Sequence, residues 1–203
     1  MTIKPNKPWG TEVDRPVDLV VVDSDAALAE HLASDDDAPV GLTGGDLFRT
    51  LGARPIGDRT TLRAFPLDLM RVRLDCGEAV AAIAHVVVRS PWRRGGWWRG
   101  AVSVVMNAEF LGEWDVAPRG HPNDGKVERF DLSAGTSVRQ RVAIRGRLPS
   151  GTHLPHPSIE RRSAQRHLIE RDRPVDAWAD GRWLGRARRV DIEVLYDAAT
   201  VHA

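Results

Sequence analysis

Met70-Arg71-Val72-Arg73-Leu74 alternates apolar with charged residues, Asp75-Cys76-Gly77-Glu78 interrupts it, and Ala79–Arg89 runs apolar again. Alternation with a period of two is the pattern of a strand with one face buried, so this stretch predicts a strand, a tight turn and a returning strand. The same reading extends toward the C-terminus. Ala101–Met106, Lys126–Leu132, Ile159–Arg162, His167–Arg171, Val175–Ala179 and Val190–Tyr196 are each short and β-branched or alternating, and Asp180-Gly181 between the last two is a hairpin signal. Pro118, Pro122 and Asn123-Asp124-Gly125 mark turns in the block Gly112–Asp131. Strands at this spacing, almost without helices, predict an antiparallel sandwich or barrel-like sheet pair.

On the N-terminal side of Pro55 the pattern differs. Val17–Val22 reads as a strand, Asp23 and Ser24 offer N-cap oxygens for a helix over about Asp25–Ala33, and Asp35-Asp36-Asp37 disfavours its continuation. Val40–Leu42 is a second short strand, and Gly44-Gly45 leads into a helix over Asp46–Leu51 with Gly52 as its C-cap. Met1–Arg15, rich in Pro and Lys, is expected to drape over the surface. The expected architecture is α+β and mainly β: a small α/β stub with its lead-in over 1–55, and a β-sandwich domain over 56–203.

Composition narrows the class of protein. With 203 residues, 42% hydrophobic and 28% charged, the chain suits one globular domain with a small appendage and is too apolar for disorder. Basic and acidic residues nearly cancel, 29 against 28, so net charge selects no partner. Their placement is uneven: Arg139–Arg189 holds 13 arginines against 5 acids, a surface that favours anions if those charges are free. Cys76 is the lone cysteine, which forbids an intrachain disulfide and fits a reducing compartment. The longest apolar run, Ala79–Val88, is broken by His85 and far shorter than the roughly 18 residues of a membrane span. No hydrophobic signal core opens the chain, so a cytoplasmic protein is expected.

Three segments, in order, resemble the lipid kinase family that includes the diacylglycerol and sphingosine kinases. Thr43-Gly44-Gly45-Asp46-Leu47-Phe48-Arg49-Thr50-Leu51-Gly52 is similar to the family's G-T-x-N-D-x-A-R-x-L-G, with Gly45 in place of Asn and Phe48 in place of Ala. Asn107-Ala108-Glu109-Phe110-Leu111-Gly112, Val116-Ala117-Pro118-Arg119 and Asn123-Asp124-Gly125 resemble N-x-x-x-x-G-G…A-P-x-A-x-x-D-D-G. Gly151-Thr152-His153, then Asp180-Gly181-Arg182, resembles the G-x-H…D-G-E ending. The resemblance spans about Val40–Tyr196 and implies an N-terminal α/β domain that holds ATP, joined to a β-sandwich that meets the lipid.

The departures from that pattern bear on chemistry. The family cradles phosphate on a G-G-D-G-T loop after an early strand; here Gly44-Gly45-Asp46 is followed by Leu47-Phe48 and aligns with the later motif instead. About 40 residues precede it, too few for an independent nucleotide domain, so a degenerate, truncated remnant is expected and ATP is not. The resemblance makes the Glu of D-G-E the acceptor of the lipid hydroxyl proton; that position is Arg182, whose guanidinium cannot take a proton. Asp180 is a substitute base or, more simply, a hairpin-turn aspartate. Asp124 matches the acidic turn residue that the resemblance links to a structural magnesium ion. His153 and His156 lack the further ligands a zinc site needs, and no G-x-S-x-G elbow occurs.

The remaining candidate is Arg89–Arg99, where Trp92, Trp97 and Trp98 mix with Arg89, Arg93, Arg94 and Arg99. Tryptophan with arginine suits an anionic membrane surface or lipid headgroup and suits stacked single-stranded bases. The alternative is that the tryptophans fold back as a plug or dimer contact. The expected binding set is Trp92, Arg93, Arg94, Trp97, Trp98, Asn107, Asp180 and Arg182. The sequence thus predicts a non-catalytic lipid-kinase-like protein, peripheral to the membrane, that binds a lipid headgroup, a membrane surface, a protein partner or a second copy of itself. Two alternatives accompany it: a residual or partner-completed diacylglycerol or lipid kinase, and a nucleic-acid-binding β module that uses the tryptophan-arginine loop.

Overall fold

A computed structural model of the chain describes residues 9–34 and 37–203. The N-terminal elements are β1 (Thr11–Asp14), β2 (Val20–Val22), α1 (Asp25–Leu32), β3 (Val40–Leu42) and α2 (Gly45–Thr50). Then come β4 (Thr61–Leu74), β5 (Ala79–Ala82), β6 (His85–Arg89), α3 (Gly96–Arg99), β7 (Val102–Met106) and the short pair β8 (Phe110–Leu111) and β9 (Trp114–Asp115). The chain ends with β10 (Val127–Leu132), α4 (Val138–Arg147), β11 (Ile159–Ala164), β12 (Arg166–Ala179) and β13 (Arg182–His202).

The fold is α+β and mainly β. One sheet runs in the order β1-β4-β13-β12-β6-β7-β10-β11, antiparallel throughout, with β5 also on β4. β11 runs into β12 through the single residue Gln165, so the path β12-β6-β7-β10-β11 doubles back on itself without closing its hydrogen-bond ladder. At the other end β2 and β3 add in parallel, β3 lying beside Val201 and His202 of β13.

Three apolar clusters follow from the strand period. Val86 and Val88 of β6 point into an inner core with Met70, Val72, Val105, Ile169, Val190 and Ile192. Val87, between them, points to the opposite face, where it joins Val102, Val104, Met106 and Phe130 under Trp97, Trp114 and Trp178. Side chains that alternate across a strand explain why Val86, Val87 and Val88 of β6 are apolar without interruption: both faces are covered there. The third cluster packs Leu28, Leu42 and Leu47 of the N-terminal elements on Phe65, Leu67, Ile83 and Val201 of the sheet.

Several expectations need correction. Met1–Arg15 is not only a surface lead-in: β1 forms an edge strand on β4, with Thr11 opposite Ala64 and Asp14 opposite Thr61, and Trp9 packs edge-on against Phe65. Residues 1–8 lie outside the described residues, as do Asp35 and Asp36 of the expected helix stop. Ala79–Arg89 is two strands, because the carboxylate of Asp180 takes the amides of Ile83, Ala84 and His85 at the break. His167–Arg171 and Val175–Ala179 are one strand, β12, with a bulge between Glu170 and Val175. The region expected to hold almost no helix contains α4, which starts at a capping box: Gln140 N–H donates to Ser137 Oγ, and Ser137 N–H donates to Gln140 Oε1.

Candidate functional site

Where β2 passes into α1, Ser24 is extended and its Oγ accepts from Ala27 N–H, capping the helix. Asp25, the first helical residue, is buried and turned away from its own helix. Its carboxylate accepts from Asp46 N–H at 2.6 Å and Leu47 N–H at 3.1 Å, the leading amides of α2. Gly45 makes this approach possible: it has φ +96°, and a Cβ there would sit 2.5 Å from Asp25 Oδ1. Burial, reinforced by the nearby charges of Asp180 and Asp46, pushes the Asp25 pKa up to about 7, against the lowering effect of the two amides.

Asp46 lies beside it. Its Oδ1 accepts from Gly112 N–H at 2.8 Å and its Oδ2 lies 3.3 Å from His85 Nδ1. Burial raises its pKa and His85 opposes the rise. Asp180, at the β12–β13 turn with φ +49°, accepts from Ile83, Ala84 and His85 N–H at 2.7–2.9 Å. Asn107 Nδ2 donates to the carbonyls of Ile83 and Asp68, tying β7 to the same break. Arg182 turns to Glu30 of α1 at 2.7 Å and to the Ala81 carbonyl. The three carboxylates therefore act as braces: each takes backbone amides from an element distant in sequence.

Asp124 lies elsewhere. It lines a polar cavity of about 320 Å³ with Asp68, Asn123, Gly125, Gln165, Tyr196 and Asp197; neither Asp180 nor Arg182 reaches it. Asp68 spends its oxygens on Gly125 N–H at 2.7 Å and Asp197 N–H at 2.9 Å, and Asp124 accepts from Lys126 N–H at 3.2 Å. Burial raises the pKa of both. Among the described residues no group of three or more His, Cys, Asp or Glu side chains is arranged to hold a metal ion.

The tryptophan-arginine segment divides in two. Trp92 stands 69% exposed and Arg93 is exposed, while Arg94 donates to the Pro174 carbonyl. Trp97 and Trp98 fold back and wall an apolar cavity of about 360 Å³ with Trp114, Phe130, Ile144 and Leu148. Trp97 meets Trp114 edge-on at 6.4 Å. The polar groups lining the cavity are Asp131, Arg141, Arg145 and His153. Arg141 is 3% exposed and donates to the carbonyls of Thr136, Trp97, Gly100 and Ser133, clamping α4 to the tryptophan segment. His153 is 2% exposed; burial lowers its pKa, and the Val116 backbone and the Asp115 charge oppose this.

Sequence reasoning missed the role of Asp25, read only as the first residue of a helix, and missed Trp114, Phe130 and the whole of α4. A signal for α4 was present in Ser137-x-x-Gln140. No sequence signal marks Asp25, because its partners lie 21 and 22 residues on.

No protein-family model matches the sequence, and no curated protein matches it. Solved structures do. The fold is similar to a putative diacylglycerol kinase from Bacillus anthracis str. Sterne, with a TM-score of 0.64 at 14% identity over 91% of this chain and 77% of that one. A structure titled as a diacylglycerol kinase from the same organism gives 0.61 at 15% identity, covering 91% and 75%. The three motifs and the tertiary structure point the same way: this chain has the lipid-kinase-like fold of the diacylglycerol kinase-like proteins.

Proposed function

We propose that the chain is a non-catalytic lipid-kinase-like protein that holds a lipid chain in its tryptophan-walled cavity. The observation that carries this reading is the cavity itself: about 360 Å³, walled by three tryptophans and Phe130, within the size range of small-molecule sites. Its surroundings suit a membrane surface. α4 turns Val138 and Val142 outward among Arg139, Arg145 and Arg147, and Trp92 stands exposed beside Arg93.

Phosphoryl transfer needs held phosphates, a divalent cation and an acceptor for the hydroxyl proton. The turn after β2, Asp23-Ser24-Asp25-Ala26-Ala27, contains no glycine to bring amides onto a phosphate. The leading amides of α2 already donate to the Asp25 carboxyl, an acceptor built into the chain. Arg182, at the position the resemblance gives to the base, is a fixed cation paired with Glu30.

A nucleic-acid interface gains less support. Much of the basic excess is spent on local acids: Arg161 on Glu128, Arg162 on Glu160, Arg166 on Asp191 and Arg186 on Asp176. Calorimetry tests the proposal directly. ATP with magnesium is expected to give no binding heat, while a long-chain amphiphile below its micellar concentration saturates one site. Tight magnesium-dependent ATP uptake would return the chain to the kinases.

A further inference from the structure

Arg141 is nine-tenths buried, yet every acceptor it meets is a backbone carbonyl: Thr136 at 3.0 Å, Trp97 at 2.8 Å, Gly100 at 2.8 Å and Ser133 at 2.5 Å. Those bonds use four of the five guanidinium N–H groups, and among the described residues no carboxylate pairs with the positive charge. Buried charges are ordinarily paired. Burial is what moves its pKa, downward, as expected of a cation with no nearby anion.

One turn along α4, Arg145 lies over the Trp114 ring at 5.2 Å and the Trp98 ring at 5.8 Å. Among the described residues it has no ion-pair partner, and Val138–Arg147 contains no acid. Both arginines line the same cavity. The carboxylate that also lines it, Asp131, is already held by Arg129 at 2.7 Å and by Ser103, with Arg171 at 3.7 Å. The apolar cavity therefore carries an excess of positive charge at the α4 side, and Arg145 is exposed where solvent reaches it.

Size limits the occupant further. A cavity of about 360 Å³ lies in the range of sites that take one small ligand, and its apolar walls suit an acyl chain.

From these observations we infer that the cavity binds a long-chain carboxylate, a free fatty acid. Its headgroup meets Arg145 and the uncommitted N–H of Arg141, and its chain lies against Trp97, Trp98, Phe130 and Ile144. This rests on the lipid-holding reading above and adds the chemistry of the headgroup, which the resemblance to lipid kinases does not supply.

The test uses the quenching or enhancement of the cavity tryptophans in the full chain, titrated with laurate, with 1-dodecanol and with lauroyl lysophosphatidate. Laurate is expected to bind saturably and at least about tenfold more tightly than dodecanol, since a hydrogen-bonded charge pair is worth roughly one decade or more. Arg145→Met, at an exposed position, is expected to fold normally, to lower laurate affinity toward the dodecanol level and to leave dodecanol unchanged. Equal affinity for laurate and dodecanol, or laurate binding indifferent to Arg145→Met, overturns the carboxylate inference and leaves lipid holding intact. Tighter binding of the lysophosphatidate than of laurate also overturns it, in favour of a phospholipid. Failure of all three probes to bind removes both readings.

Discussion

Asp25 shows how one side chain can join two elements and record the strain of doing so. Its carboxylate closes the start of α2, but burial and two neighbouring carboxylates favour the neutral form, with a pKa of about 7 against 3.8 for an ordinary aspartate. A folded-state pKa above the unfolded one means that the native chain binds the extra proton. Stability on this account is therefore highest below about pH 4 and falls as pH rises toward 7, by up to about 4 kcal/mol. The lowered pKa values of His121, His153 and His167 act in the opposite sense, removing stability below about pH 6.5. Carboxyl carbon NMR is expected to show Asp25 titrating near pH 7, and Asp25→Asn to flatten the decline in urea midpoint between pH 5 and 8. A midpoint near pH 4 for this carboxyl contradicts the account. Gly45 is the complementary residue. Gly45→Ala forces a Cβ into Asp25 at positive φ and is expected to lower stability by about 2 kcal/mol, read as a shifted urea midpoint at unchanged slope.

Among the elements, α4 sets the character of the candidate site. It carries Ile144 and the two cavity arginines, and its position depends on the Ser137–Gln140 box and on the Arg141 clamp. Ser137→Ala is expected to cost about 1 kcal/mol and to weaken amphiphile binding, because a frayed first turn loosens Arg141. Unchanged stability in thermal unfolding would show that the cap contributes nothing. At this scale the sequence was readable where one segment formed one element. α1 was expected at Asp25–Ala33 and occupies Asp25–Leu32, and β7 was expected at Ala101–Met106 and occupies Val102–Met106. It was unreadable where a distant group intervened. Nothing within Ala79–Arg89 announces the break at Ile83-Ala84, which exists because Asp180 takes three amides there. α4 escaped notice for another reason: four arginines in ten residues give it too thin an apolar face, and much of what it buries is Arg141.

In the whole molecule the N-terminal elements and the sheet share one apolar cluster, with Leu28, Leu42 and Leu47 packed on Phe65, Leu67 and Val201. β3 also continues the ladder beside the end of β13. The chain is accordingly expected to unfold in a single transition, with tryptophan fluorescence and far-ultraviolet circular dichroism giving coincident curves. Two separated transitions would mean that the N-terminal elements hold together by themselves. No helix among the described residues is long and apolar enough to cross a membrane. Local pattern alone determined strands such as β3, β7 and β10, the Asp180-Gly181 hairpin and the order of the three motifs, since periodicity and turn chemistry act over a few neighbouring residues. Tertiary structure alone decided which groups meet: Asp25 with α2, Arg182 with Glu30, and Trp97, Trp98 and Trp114 with Phe130 around a space. Such meetings depend on how a bent sheet folds back over its own outer face, and no local interaction encodes that.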